Sequence, residues 1–229
     1  MRTFRGLLKI LLIILAVAII AVVGLLTWLS ITEYRPADRE TLSVKVGARH
    51  DTAEAGTMYK LVTLNIGYAG LGRDEDCFMD GGKGVLPKSQ NEVESNLSGL
   101  LSALSLQNAD ICLLQETDLS SRRSFTINEM EYFSHGLSMG SAFAYNYRCP
   151  FVPFPWPPIG KVESGLTTLN DLAVTSAVRQ SLPVPFGWPV RIANLKRCLL
   201  IERMPVAESD KELVLINLHM EAYSSEDGR

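Results

Sequence analysis

The chain has 229 residues, of which 47% are hydrophobic, and it carries 22 basic against 25 acidic residues. This length allows one domain of good size with an appendage. The acidic excess argues against a protein that holds polyanions on a broad basic surface, but it leaves open a site that handles a single phosphate through a metal.

Residues 1–31 predict a membrane anchor. No charged residue occurs from 10 to 31, and a helix of that length would extend about 33 Å, enough to cross a bilayer core of about 30 Å. The basic residues Arg2, Arg5 and Lys9 precede this segment, and no small-x-small cleavage site follows it. We therefore favour a retained single-pass anchor over a removed signal peptide. The positive-inside rule then places the rest of the chain outside the cytoplasm.

Residues 32–57 are polar and aperiodic, which predicts a stalk between the anchor and a domain spanning residues 58–229. The domain starts with an alternating segment, 59–67, which predicts a strand ending at Asn65. A long glycine-containing loop follows this strand.

Ser89 and Glu92 form a capping-box pattern that predicts the start of a helix ending near Asn108. The apolar segment 111–115 then predicts a buried strand that runs directly into Glu116. Strand, helix and strand in this order indicate a right-handed crossover between parallel or neighbouring strands. Later strands are predicted at 141–147, 165–169, 172–179, 197–204 and 213–218, with a rigid loop rich in Pro, Phe and Trp over 149–158.

Three predicted strands end in a polar residue, namely Asn65, Glu116 and His219. Functional groups in α/β sheets collect at the carboxyl ends of strands. Carboxylate and amide oxygens can hold Mg²⁺, which keeps water and substrate phosphate oxygens as its other ligands. Each residue also has an ordinary interpretation: the start of a turn, a solvated charge, or a histidine at a sheet edge. Spacing alone leaves both interpretations open.

The segments LVTLNIG, ICLLQETD, VESGLTTL and LVLINLHM, in this order, resemble the endonuclease/exonuclease/phosphatase family. That family includes pancreatic-type deoxyribonuclease, neutral sphingomyelinases and inositol polyphosphate phosphatases, and the resemblance covers residues 59–221. It implies an α/β fold, a two-sheet β-sandwich flanked by helices and incomplete at the C-terminus. It also implies hydrolysis of a phosphodiester or phosphomonoester by water activated on Mg²⁺, with Mn²⁺ as the alternative metal.

The same resemblance implies roles for individual residues. Glu116 would bind the catalytic metal, and Asn65 would help to hold the metal or its water. His219 would contact the scissile phosphate, and Glu163 would be the acid that pairs with this histidine. Two further residues, Arg122 and Arg123, follow the Gln-Glu pair in a loop; they either contact phosphate or form an ordinary solvated basic pair.

Two family motifs are absent from the sequence, an Asp-x-Asn and a Ser-Asp-His, which place the attacking water and supply the base in that family. We favour a chain that is cut short over one that has lost the activity. The leading hypothesis is a membrane-anchored phosphoesterase, a phosphodiesterase or nuclease type of hydrolase, acting on nucleic acid or phospholipid head groups. The alternatives are a non-catalytic binding or scaffolding protein on the same fold, and a plain ectodomain without a site.

Overall fold

The computed structural model describes residues 2–72 and 82–220, with side chains from Phe4 onward. The helices are α1 (Arg2–Ile31), α2 (Gln90–Gln107) and α3 (Glu129–Leu137). The strands are β1 (Arg39–Thr41), β2 (Val44–Lys45), β3 (Leu61–Asn65), β4 (Ile111–Asp118), β5 (Gly140–Val152), β6 (Gly160–Asn170), β7 (Ser176–Ser181), β8 (Cys198–Pro205) and β9 (Glu212–Leu218).

The strands form two sheets with helices on the outside, as predicted. One sheet has the order β2-β5-β6-β4-β3 and the other has the order β1-β7-β8-β9. Their facing surfaces pack together, since Ala144 and Leu166 of the first sheet contact Ala177 and Leu200 of the second in one buried cluster. The opposite face of the first sheet is covered by α2 and α3. β3 and β4 pair in parallel, as the crossover through α2 requires.

The helix α2 begins where its capping box predicts. The Ser89 side chain accepts a hydrogen bond from the Glu92 amide at 3.3 Å, and Glu92 in return accepts one from the Lys88 amide at 3.2 Å. The helix ends at Asn108, which adopts a left-handed conformation with φ of 46°. Its apolar face is buried against β4. The carboxyl ends of β3 and β4 are therefore held by a well-packed crossover unit.

The helix α1 is apolar and exposed for most of its length. Residues Phe4–Ile31 form a helix long and apolar enough to cross a membrane. Its last turns differ, because Leu29 is 2% exposed and packs with Val152 and Ile192 of the domain. The anchor candidate therefore ends in direct contact with the folded domain.

The segment 32–57, predicted as a stalk, is built into the domain. β1 pairs with β7 in one sheet and β2 pairs with β5 in the other, both antiparallel. Isolated bridges at Asp51 and Ala53 continue the attachment. Strands of three and two residues show no alternation long enough to recognise, so the sequence pattern missed them. This segment therefore supplies one edge strand to each sheet, and the prediction of a separate stalk is wrong.

A buried carboxylate joins α1 to the domain. The side chain of Glu33, which is 1% exposed, accepts hydrogen bonds from Arg191 at 2.9 and 3.2 Å and from Arg35 at 2.9 Å. The ammonium group of Lys196 lies 3.5 Å from the same carboxylate. Burial alone would raise the pKa of Glu33, but these basic partners more than offset it and lower the pKa. Glu33 is therefore charged and holds three cations at the end of α1.

Candidate active site

Two of the predicted site residues lie side by side where β3 and β4 end. The register of the parallel pair places Asn65 beside Gln115, so the next residue, Glu116, lies just beyond the last pair that β3 and β4 form. The Asn65 amide nitrogen donates a hydrogen bond to Glu116 Oε1 at 3.1 Å. The two strands therefore bring this amide and this carboxylate together.

The direction of the Asn65 amide is determined by the backbone that follows it. The Gly67 amide donates to Asn65 Oδ1 at 2.9 Å, which leaves the Asn65 nitrogen to face Glu116. Gly67, Tyr68 and Ala69 all have positive φ, at 55°, 45° and 48°, so the chain makes a buried left-handed turn here. The Asn65 oxygen therefore accepts from the turn, and its nitrogen donates to Glu116 and orients that carboxylate, while a contact of Asn65 with a metal stays a prediction.

Glu116 occupies a bulge in β4. Its neighbours Gln115 and Thr117 pair with consecutive residues Leu166 and Gly165 of β6, and Glu116 itself is left over. It has φ of 55°, a left-handed conformation that costs an ordinary residue about 1–2 kcal/mol. The bulge leaves the carboxylate 28% exposed at the end of a strand that is otherwise almost wholly buried. This is the kind of strained position found at functional sites.

His219 reaches the same carboxylate from the other sheet. Its Nδ1 lies 3.9 Å from Glu116 Oε1, and its backbone carbonyl accepts a hydrogen bond from Arg197 at 2.9 Å. The three residues that the strand ends predicted, Asn65, Glu116 and His219, therefore meet at one edge of the sandwich.

A buried amide pair aligns the two sheets at this edge. Gln115 Nε2 donates to Asn217 Oδ1 at 2.8 Å, and the Asn217 nitrogen donates to the carbonyls of Leu114 and Thr167 at 3.1 and 3.0 Å. Asn217 lies two residues before His219 and is 1% exposed. The sequence analysis missed Asn217; the signal was an amide in the middle of an otherwise apolar strand, LVLINL.

The two candidate phosphate contacts, Arg122 and Arg123, have protein partners. Arg123 makes a double hydrogen bond to buried Asp118, at 2.9 and 3.0 Å, and its guanidinium lies 3.6 Å from the centre of the Tyr68 ring. Burial would lower the pKa of Arg123, but Asp118 raises it above its ordinary value. Arg122 donates to the carbonyl of Pro158 at 2.8 Å. Arg123 is therefore held within the fold by Asp118 and Tyr68, whereas Arg122 is exposed, and a phosphate contact by either arginine stays a prediction.

A second buried carboxyl group, that of Glu129, lies next to Asp118. Glu129, at the first turn of α3, is fully buried and accepts a hydrogen bond from the Asp118 amide at 2.7 Å. Burial and the nearby charge of Asp118 raise the pKa of Glu129 well above its ordinary value. Glu129 therefore favours its neutral form more strongly than an ordinary carboxyl group does.

Glu163 has partners other than the histidine that the resemblance implies. Its carboxylate lies 3.5 Å from Arg148 Nε and 3.3 Å from Lys161 Nζ. The side chain of the next residue on β6, Ser164, lies on the face of the sheet that Arg123 contacts, and it accepts a hydrogen bond from Arg123 at 3.1 Å. Because successive side chains alternate along a strand, the side chain of Glu163 lies on the opposite face of the sheet. The described carboxylate partner of His219 is Glu116.

The chemistry of the site fits a magnesium ion held by one protein carboxylate. Within residues 2–72 and 82–220 no three His, Cys, Asp or Glu side chains form a metal-binding group. Mg²⁺ nevertheless keeps several waters and is often bound through one or two carboxylates together with substrate phosphate. Glu116 offers such a carboxylate, partly exposed and oriented by Asn65.

The chain is similar in structure to an endonuclease/exonuclease/phosphatase from Beutenbergia cavernae DSM 12333, with 14% sequence identity and a TM-score of 0.46. The similarity covers 71% of this chain but only 38% of that protein. No protein-family model and no curated protein matches the sequence. A similarity at this level does not identify a substrate or an activity for this chain.

Proposed function

We propose that the protein is a membrane-anchored, Mg²⁺-dependent hydrolase of phosphoric esters. The observation that carries the proposal is the meeting of Asn65, Glu116 and His219 at one sheet edge, with Glu116 Oε1 at 3.1 Å from the Asn65 nitrogen and 3.9 Å from His219 Nδ1. The proposal is also supported by the sequence resemblance to the endonuclease/exonuclease/phosphatase family, which points to these same residues in the same order along the chain.

Each residue has a defined task in this proposal. Glu116 would hold the metal, which when bound supplies a Lewis acid for a phosphoryl oxygen and lowers the pKa of a water molecule. Asn65 donates its N–H to Glu116 and fixes the direction of the carboxylate. His219, when protonated, would donate a hydrogen bond to a phosphoryl oxygen and offset the charge that develops there.

The charge of the chain favours a small phosphate group over a long polyanion. Three of the 22 basic residues lie in the segment 1–31, which leaves 19 basic against 25 acidic residues for the rest. Nucleic acid binding depends on many basic contacts with phosphates. A phospholipid head group, presented by the membrane that would hold α1, is therefore the favoured substrate class over nucleic acid.

A retained anchor is part of the proposal because the end of α1 is a packing partner. Loss of residues 1–31 would uncover the apolar side chains that Leu29 covers and would remove the Ser30 hydroxyl, which accepts a hydrogen bond from Trp188 Nε1 at 3.1 Å. A cleaved signal peptide has no such role. The direction of the chain across the membrane rests on the basic residues before α1.

The test compares the full chain with Glu116→Gln in detergent or vesicles. The substrates would be bis(p-nitrophenyl) phosphate, sphingomyelin and duplex DNA, with Mg²⁺, Mn²⁺ or a chelator. We expect Glu116→Gln to lower metal-dependent hydrolysis by at least about 100-fold, since a bound metal supplies several kcal/mol to the transition state. Glu163→Gln is the matched control, because its carboxylate binds Arg148 and Lys161, and it should keep most of the activity.

A second readout separates the alternatives. We expect Mg²⁺ to raise the melting temperature of the wild-type protein but not that of Glu116→Gln. A wild-type protein that binds Mg²⁺ through Glu116 without hydrolysing any ester would favour the binding or scaffolding alternative. Equal Mg²⁺ stabilisation of both proteins would show that Glu116 is not the metal ligand.

A further inference from the structure

Exposed aromatic and aliphatic side chains cluster in two loops of the domain. Phe154 and Trp156 lie in the loop between β5 and β6 and are 74% and 86% exposed. Trp188 and Val190 lie between β7 and β8 and are 62% and 57% exposed. We call these four side chains the bilayer-contact surface. Exposed apolar groups that are contiguous mark interaction sites in soluble domains.

This surface lies beside the end of α1. A groove of about 510 Å³ is lined on one side by Leu26 and Leu29 of α1 and on the other by residues of both loops, including Phe154 and Val190. Trp188 is tied to α1 by its hydrogen bond to Ser30. The three tryptophans of the chain are Trp28, at the end of α1, and the two in these loops.

The geometry points to a lipid bilayer as the partner of this surface: the domain rests on the membrane that holds α1, and lipid acyl chains fill the groove. The inference rests on the proposed anchoring by α1. The apolar side chains of α1 that line the groove belong to the same helix whose remaining length would lie in the bilayer. The groove is therefore continuous with the lipid-facing surface of α1. Tryptophan is the residue preferred at membrane–water interfaces, since its ring is apolar and its N–H is polar.

The sheet orientation agrees with this arrangement. Val152 and Gly160 pair at the end of the β5–β6 hairpin, so the loop that carries Phe154 and Trp156 projects from that end of the sheet. β4 is antiparallel to β6, and its carboxyl end, with Glu116, therefore lies toward the same end. Leu106 lies just before the start of β4, at the opposite end, and is 84% exposed.

The experiment uses the full chain in vesicles of phosphatidylcholine whose acyl chains carry bromine, a quencher of tryptophan emission. Three proteins each keep one tryptophan, with the other two changed to Phe. A fourth has all three changed to Phe and carries Leu106→Trp as the matched control. A cooperative thermal transition for each protein would show that it is folded. No hydrolysis is measured, so failure here is distinct from failure of the proposed activity.

We expect bromine near the head-group end of the acyl chains to lower the emission of Trp156 and of Trp188 by about half or more, as for rings at the interface. The emission of the control, whose single tryptophan replaces Leu106, should stay unchanged. Quenching of Trp28 alone would overturn the bilayer-contact surface while leaving the anchor intact. If Trp28 is not quenched either, the anchoring itself is wrong and the inference fails with it. Equal quenching of the control would likewise contradict the proposed orientation.

Discussion

The amide nitrogen of Asn65 lies 3.1 Å from Glu116 Oε1, and the Gly67 amide prevents the Asn65 side chain from presenting its oxygen instead. A neutral donor thus stands where a second metal-binding carboxylate could stand. The direction of this amide turns its nitrogen, and not its oxygen, toward the Glu116 carboxylate.

We predict that Asn65→Asp makes the protein more dependent on Mg²⁺. In the presence of a chelator, the two carboxylates of the Asn65→Asp variant, about 3 Å apart, repel each other, and the melting temperature of the variant should fall. Added Mg²⁺ would relieve the repulsion, so its stabilising shift should exceed that of the wild type. Asn65→Ala removes the hydrogen bond without adding charge and should show no larger shift. Equal shifts for all three proteins in a thermal unfolding assay would contradict the placement of the metal at Glu116.

The left-handed conformation of Glu116 predicts an unusual order of stabilities. Glu116→Gly should be more stable to urea than Glu116→Ala by about 1 kcal/mol, because glycine adopts positive φ without the penalty of a Cβ. The same pair of changes at Val214, an ordinary position on β9, should give the opposite order. If Ala is the more stable residue at both positions, residue 116 does not have the strained conformation.

Arg123 and Arg122 should differ sharply in their tolerance of lysine. Arg123→Lys would lose the double hydrogen bond to Asp118 and the stacking on Tyr68, at a cost of about 2 kcal/mol in the free energy of unfolding. Arg122→Lys loses one exposed hydrogen bond and should change stability by less than about 0.5 kcal/mol. Urea unfolding measures both. Equal costs would show that the buried pair has no special role.

We predict that the buried carboxyl group of Glu202 makes the folded protein less stable as pH rises. It is 1% exposed on β8, its Oε2 accepts a hydrogen bond from Asn170 at 3.1 Å, and its Oε1 has no partner among the described residues. Burial raises the pKa of Glu202 to about 7 from an ordinary value of 4.5. The folded protein therefore holds a proton that the unfolded chain releases, and stability falls as pH rises from about 4.5 through about 7.

Glu202→Gln should remove this dependence. We expect the variant to be more stable than the wild type at pH 8, by a few kcal/mol, on the order of 3. The difference should shrink toward pH 5, where both side chains are neutral in the folded state. Glu94→Gln, at an exposed position on α2, should show no such change in a series of unfolding curves. A constant difference across the pH range would mean that Glu202 is charged in the folded protein.

The elements that could be predicted from the sequence are those with long residue patterns. The helix that follows the Ser89 capping box, the strands that lead to Asn65 and Glu116, and the order of the later strands follow from patterns that extend over four or more residues. The sequence analysis missed β1, β2 and α3, since two- and three-residue strands have no period and α3 is only nine residues long.

The partners of charged side chains were the less predictable part of the site. Glu163 pairs with Arg148 and Lys161 because of its face on β6 and because of the bulges in the neighbouring strand β5, which set the residues that lie opposite it. The Asn65 amide direction depends on a left-handed turn in which two of three residues are not glycine. Neither the face nor the turn leaves a signature in residue types alone.

The attachment of residues 32–57 to both sheets sets how far the domain can range. A free linker of these 26 residues would let its end wander over about 28 Å. β1, β2 and the cations around Glu33 remove that freedom. About five residues of β6 separate the base of the loop at Gly160 from the level of Glu116, which is about 16 Å along the strand. A domain mounted this way on a membrane would work at one fixed height. The hydrolase proposed above would then act on phosphates that lie within a thin layer above the lipid and would leave those further out untouched.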